Sequence, residues 1–225
     1  MKVIHTSDWH IGQTLYQYSR DEEHKYFFNQ LKNIVLEEKP DALIVSGDIF
    51  HASTPSVMSQ RLYYHALVEL SRLYDDLQII VTAGNHDSPS RLEAPRELWE
   101  AFNVTVIGNL DFYKEVQENG LTYDASKIQI PVRRNDVIVG WILAVPFINA
   151  GNYPSLKEDD CYSKRVFSFY NNLIFIFYML IKDCVCQLNI LCVILIIIVK
   201  DFCVFQNYSA ICKPTKFSFE IFNRT

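Results

Sequence analysis

Three short apolar runs, each closing on a polar turn and followed by a stretch with helical spacing, constrain the fold of this chain most. The clearest is Gln78-Ile79-Ile80-Val81-Thr82-Ala83, which leads into Gly84-Asn85-His86-Asp87 and then Ser88-Pro89-Ser90. Five or six β-prone residues stopping at a Gly-Asn step read as a buried strand ending in a tight turn. Glycine at that point lets the backbone turn without a Cβ clash. The turn carries an amide, an imidazole and a carboxylate in succession. A polar loop tip of this kind is common; its weight here comes from two earlier runs that end alike.

The first run, residues 2–6, ends in Ser7-Asp8-Trp9-His10. An extended backbone through Trp9 would aim Asp8 and His10 the same way, which suits two ligands on one metal ion. The bland alternative is an Asp cap beside a stray His. Ser19-Arg20-Asp21-Glu22 fits a capping box with Ser19 as N-cap. It opens a helix with Phe27, Phe28, Leu31, Ile34 and Val35 on one face, ending at Pro40. His24, in its first turn, reads as solvent-facing.

The second run, 41–46, ends in Gly47-Asp48-Ile49-Phe50-His51. Residues 55–74 have helical spacing, with Met58, Leu62, Ala66, Leu70 and Leu73 along one side and Pro55 in the first turn. His65 reads as a packing residue. A helix over 91–102, strands over 104–107 and 137–145, and a hairpin or irregular region over 117–134 follow.

Composition divides the chain. All six His lie between His5 and His86, all six Cys between Cys161 and Cys212, and the last Gly is Gly151. Residues 1–165 carry 16 Lys/Arg against 23 Asp/Glu, whereas 166–225 carry 5 against 3. The mildly acidic balance neither points to nucleic acid nor excludes it. The N-terminus goes straight into a strand pattern with no long apolar segment of the secretory kind, and residues 1–160 lack Cys, so a cytoplasmic location is expected. The domain reading is therefore 1–165 as one α/β domain and 166–225 as an atypical Cys-rich hydrophobic tail.

In alternating α/β sheets, ligands gather at the carboxyl ends of the strands, and short crossovers put successive ends side by side. The converging set is Asp8, His10, Asp48 and Asn85, with His86 beside it. Carboxylate, amide and imidazole donors suit Mn²⁺ or a similar divalent ion, and the absence of thiolates argues against structural zinc. A carboxylate bridging two ions roughly 3.5–4 Å apart is the arrangement used for in-line phosphodiester hydrolysis. A nearby His free of metal is suited to protonate the leaving oxygen.

These residues carry a resemblance. Asp8-x-His10, Gly47-Asp48 and Gly84-Asn85-His86-Asp87 resemble the first three motifs of the calcineurin-like metallophosphoesterases. His5-Thr6-Ser7-Asp8-Trp9-His10-Ile11-Gly12, Ser46-Gly47-Asp48-Ile49-Phe50-His51 and Ala83-Gly84-Asn85-His86-Asp87-Ser88 are similar to the SbcD family, the nuclease half of the bacterial SbcCD complexes. The likeness covers residue 1 to about 165, including Ala144-Val145-Pro146-Phe147. It implies a four-layer αββα sandwich and two Mn²⁺ ions. It also implies double-strand exonuclease and single-strand endonuclease activity on DNA ends and hairpins, in repair and recombination. The implied partner is the ATPase subunit SbcC, with a homodimer inside a heterotetramer. By position, Asp8, His10 and Asp48 hold one ion, Asp48 and Asn85 the other, His86 is the proton donor and His51 lies near the scissile phosphate.

The family completes its site with later histidines, and no His follows His86 here. From about Val166 the chain is rich in Phe, Ile, Leu, Asn, Tyr and Cys, and lacks turn punctuation with which to rejoin a sheet. Its two apolar runs, over 173–181 and 189–199, are split by Lys182-Asp183. Each is too short to cross a membrane, so a membrane role is not expected. A two-helix hairpin or a pair of oily strands fits these runs, a frameshift or read-through is the favoured account of the composition, and Cys184-x-Cys186 has no persuasive metal spacing. Two other readings stay open beside the nuclease: a truncated, inactive product with at most trace activity, and another phosphoesterase of the same superfamily.

Overall fold

The computed structural model describes residues 1–110 and 128–149 continuously, strands at 114–117, 120–123, 193–199, 202–208 and 220–221, and residues 153, 163, 165, 166, 169–171 and 173. The chain divides into two units, residues 1–108 with 132–137, and residues 109–131 with 138–225.

In the first unit, β1 (Val3–Ser7) precedes a small hairpin, β2 (Thr14–Leu15) and β3 (Tyr18–Ser19). Then come α1 (Asp21–Glu38), β4 (Ala42–Ser46), α2 (Val57–Ser71), β5 (Gln78–Thr82), α3 (Pro89–Glu93), α4 (Arg96–Glu100) and β6 (Val104–Ile107). The large strands form one parallel sheet in the order β1-β4-β5-β6. Its central strands are continuous apolar runs, as a parallel sheet requires. Leu43, Val45, Ile79, Val81, Val104 and Val106 share one core with Phe28, Leu31 and Val35 of α1 and Tyr63, Ala66, Leu67 and Leu70 of α2. Each large aliphatic side chain fully buried there contributes about 1.5–3 kcal/mol. Ile44 and Ile80, which alternate with that set, are equally buried.

Three helix starts differ from the sequence expectation. The capping box does not form: α1 begins at Asp21, its N-cap is Arg20, and the Ser19 hydroxyl accepts only the Asp21 amide. Three acidic residues in the first turn favour the helix dipole without it. Pro55 lies outside α2, where Ser56 caps by accepting the Ser59 N–H at 3.0 Å. The single helix expected over 91–102 is two short ones, broken at Pro95, whose ring removes a donor and blocks continuation.

The tip of the β9–β10 hairpin, formed by β9 (Gln129–Arg134) and β10 (Val137–Val145), belongs to this first unit. There Arg134 grips the buried Asp41 carboxylate with two N–H donors at 2.7 Å, and the Lys2 amide adds a third at 2.6 Å. Burial by itself raises the Asp41 carboxyl, but the Arg134 fork, the Lys2 amide and the amino terminus more than offset it, so it lies below 3.8. With the folded-state carboxyl depressed, this contribution is complete above about pH 4 and is lost as the pH falls through the lower folded value. Arg134→Ala is expected to cost about 1–2 kcal/mol at pH 7, since Arg134 is half exposed. Denaturant melts at pH 7 and pH 3 check this; an equal difference at both would disprove the pairing.

In the second unit, β7 (Lys114–Gln117) and β8 (Gly120–Tyr123) pair antiparallel. The hairpin foreseen over 117–134 thus starts earlier, and residues 118, 119 and 124–127 lie outside the described residues. A five-stranded sheet runs β13 (Glu220–Ile221), β12 (Phe202–Tyr208), β11 (Val193–Val199), β10, β9. Trp141 pairs in parallel with Val193, and β11 pairs antiparallel with β12. The tail therefore does return to a sheet, contrary to the reading from its missing glycines. A Val- and Ile-rich run fits a pleated surface whatever the turn chemistry around it. The 174–181 part of the first apolar run, together with Cys184 and Cys186, lies outside the described residues. Among the described residues, no helix is long and apolar enough to cross a membrane.

Candidate metal centre

Sheet register brings the polar turns together. Ser7 pairs with Ser46, and Ser46 with Thr82, so three strands finish on one line. Backbone pairing continues past the strands: Asp8 N–H donates to the Gly47 carbonyl at 3.2 Å and Gly47 N–H to Thr82 at 2.9 Å. His10 N–H reaches the Asp48 carbonyl at 2.9 Å, and His51 N–H the Ile11 carbonyl at 3.1 Å. The first two loops are thus zipped along their length.

The chain between Asp8 and His10 is not extended, as the sequence reading required. Asp8, His10 and Asp48 have φ of 56°, 45° and 45°. Left-handed backbone is uncommon for residues with a Cβ, costs of order 1–3 kcal/mol each, and clusters at functional sites. The turn sends Trp9 into the core, edge-on to Phe28 at 5.0 Å and Phe27 at 6.1 Å, and leaves its neighbours at the surface of the sheet end. His24 is buried rather than solvent-facing: its ring nitrogens lie 2.8 Å from the carbonyl oxygens of Arg20 and Trp9. It ties the first turn of α1 to the ligand-bearing loop. Its spacing with Phe28, Leu31 and Val35 was the available signal.

His10 Nε2 lies 4.0 Å from Asp8 Oδ1 and 3.9 Å from Asp48 Oδ2. The three atoms fall within 4.8 Å of one another. The two His10 separations, 4.0 and 3.9 Å, exceed a hydrogen bond but not twice a metal–ligand bond of about 2.1 Å. His10 Nδ1 is buried without a partner among the described residues. Two carboxylates and an imidazole around such a gap fit a divalent ion. Asn85 is exposed at the third strand end, between Gly84 and His86. His86 N–H donates to Asp48 Oδ1 at 2.9 Å, and its Nδ1–H to the His51 carbonyl at 2.9 Å. The rings of His10 and His86 are 5.2 Å apart, and His51 stands 5.7 and 6.0 Å from them. All six candidate residues therefore sit at these strand ends.

Asp87, the last residue of the Gly-Asn-His-Asp turn, also belongs to the site. Its buried carboxylate accepts three backbone N–H groups, from Gly84 (2.8 Å), Ile49 (3.0 Å) and Phe50 (2.9 Å). Burial pushes the Asp87 carboxyl up, those three donors pull it down, the Asp48 charge raises it again, and the net direction is upward. The bonds join the second loop to the third. His5 of β1 meets the Ser46 hydroxyl of β4; burial lowers its basicity against the opposing pull of Asp8. Gly84 is required by space, since a Cβ there would collide with the Asp48 amide nitrogen and carboxylate.

A parallel α/β sheet whose strand ends present two aspartates, a histidine and a Gly-Asn-His-Asp turn defines a metallophosphoesterase. The family model of the calcineurin-like phosphoesterases matches residues 1–183, and the chain belongs to that family. It is similar to the SbcD component of the nuclease SbcCD from Rhodobacter capsulatus, with 42% identity over 158 residues, covering 70% of this chain and 38% of that protein. The SbcD component from Escherichia coli K12 is 37% identical over 109 residues, 48% of this chain and 27% of that one. The DNA double-strand break repair protein Mre11 of Sulfolobus acidocaldarius is 38% identical over 111 residues, 48% and 28% of the two chains. The chain thus spans between 27% and 38% of the length of these relatives.

Proposed function

We propose that residues 1–165 are the phosphodiesterase part of a DNA nuclease that works with an ATPase partner, SbcC, on DNA ends and hairpins in the cytoplasm. The observation that carries this is the meeting of Asp8, His10 and Asp48 at one point, with His51 and His86 on its rim. Asp8, His10 and Asp48 would hold one divalent ion, Mn²⁺ by donor chemistry, and Asp48 with Asn85 a second. When bound, such ions lower the pKa of water and screen charge on the phosphate. The protein's own residues do the rest. Asp48 fixes His86 through its backbone N–H, and the His51 carbonyl holds the His86 ring by Nδ1–H, so Nε2 is the atom that takes up a proton from solvent, giving the doubly protonated ring, and hands it to the leaving oxygen. His51, exposed beside it, would meet a phosphate oxygen. A net acidic chain still binds DNA if ions and a partner supply the positive field.

The test is linear double-stranded DNA incubated with the purified chain and Mn²⁺. At most trace cleavage is expected, since no histidine follows His86, and whatever is seen should vanish with chelator, with Asp8→Ala and with His86→Ala. Cleavage that survives chelation or Asp8→Ala would overturn the reading.

A further inference from the structure

We propose that the imidazoles of His10, His51 and His86 form a nitrogen-only metal site beside the carboxylate site, one that takes a borderline divalent ion of the zinc type. One ring nitrogen from each lies within 4.8 Å of the other two. His86 donates Nδ1–H to the His51 carbonyl at 2.9 Å, which fixes the tautomer and leaves the lone pair on Nε2. A carbonyl holding the far nitrogen is how imidazole ligands are oriented in zinc sites. His51 and His86 are exposed, so an ion enters from solvent without opening the core.

The two donor sets select different ions. Carboxylate and amide oxygens around Asp8, Asp48 and Asn85 suit a hard ion such as Mn²⁺, whereas three neutral imidazoles suit Zn²⁺. His10 belongs to both sets, so the two sites share a residue. An ion on the imidazoles also occupies the Nε2 lone pair of His86, the atom from which the leaving oxygen would be protonated. This consequence rests on the nuclease reading: zinc at this site inhibits Mn²⁺-supported cleavage. The binding site itself does not depend on that reading.

Zn²⁺ is titrated calorimetrically into the full 225-residue chain, with Mn²⁺ binding followed in parallel by electron paramagnetic resonance. The variants are His51→Gln, His86→Gln and Asp8→Asn, with circular dichroism melts to verify folding. Zn²⁺ affinity should fall at least about tenfold in each histidine variant, by the scale on which imidazole sites respond to altered ligand shells. Mn²⁺ affinity should hold in those two variants and fall in Asp8→Asn. Zn²⁺ affinity unchanged in both histidine variants, or lost to the same extent in Asp8→Asn, would overturn the proposal by placing zinc among the carboxylates. Histidine-dependent Zn²⁺ binding with no Mn²⁺ binding at all would uphold the imidazole site and count against the nuclease reading instead.

Discussion

Asp48→Ala should weaken Mn²⁺ binding at the strand ends by about a hundredfold or more, with a comparable loss of DNA cleavage. The residue is used three ways at once. Its Oδ2 faces His10 Nε2 at 3.9 Å, its Oδ1 accepts the His86 amide at 2.9 Å, and its carbonyl accepts the His10 amide at 2.9 Å. Alanine removes the first two and keeps the third, so the first loop stays zipped while the ion and His86 lose their common anchor. Asp48→Asn is the companion variant: an amide oxygen can still accept from His86 N–H but supplies no charge. Mn²⁺ affinity should therefore fall in both, whereas the position of His86 should survive only in Asp48→Asn. Paramagnetic resonance of free Mn²⁺ reads the first quantity, and histidine nuclear resonance the second. Unchanged Mn²⁺ affinity in both variants would remove Asp48 from the metal centre.

Gly84→Ala and Asp87→Ala should be the most damaging changes to the fold among residues that do not bind metal. A methyl group at Gly84 runs into the Asp48 backbone and carboxylate, which are not the yielding tips of flexible side chains. Overpacking against such neighbours costs about 3 kcal/mol, roughly 6–12 °C in Tm for a chain of this size. Asp87→Ala strands three backbone donors, each worth about 1–3 kcal/mol when buried and unpaired, although the three do not add fully. Both variants part the second loop from the third, so Mn²⁺ affinity should fall along with Tm. Thermal melts with and without Mn²⁺ make the comparison. A melt of Asp87→Ala within about 1 °C of the unsubstituted chain would show that the three hydrogen bonds do not hold the loops.

Much of the site could be read locally. A β-prone run that stops at Gly-Asp or Gly-Asn announces a strand end, and Asp8, His10, Asp48, Asn85, His51 and His86 all lie within a few residues of one. Helical periodicity likewise placed Phe28, Leu31, Val35, Ala66 and Leu70 in the core, because spacing along one element reports which face it buries. Applied more strictly, the same periodicity would have turned His24 inward.

Local propensity and period were enough to identify the four strands of the parallel sheet, the order in which those strands and the helices alternate, and the residue types delivered to each strand end, but not the β2–β3 hairpin. Folding in three dimensions was needed to settle that Asp8 and His10 meet through left-handed backbone, that Asp87 clasps the second loop to the third, and that β11 and β12 continue the second sheet. The Asp87 bonds to Ile49 and Phe50 span 38 and 37 residues. Nothing in the Gly-Asn-His-Asp turn distinguishes a buried carboxylate from an exposed one until the neighbouring loop supplies donors for it. Strand partners are equally non-local, because a Val- and Ile-rich run fits many edges and the chain's path selects one.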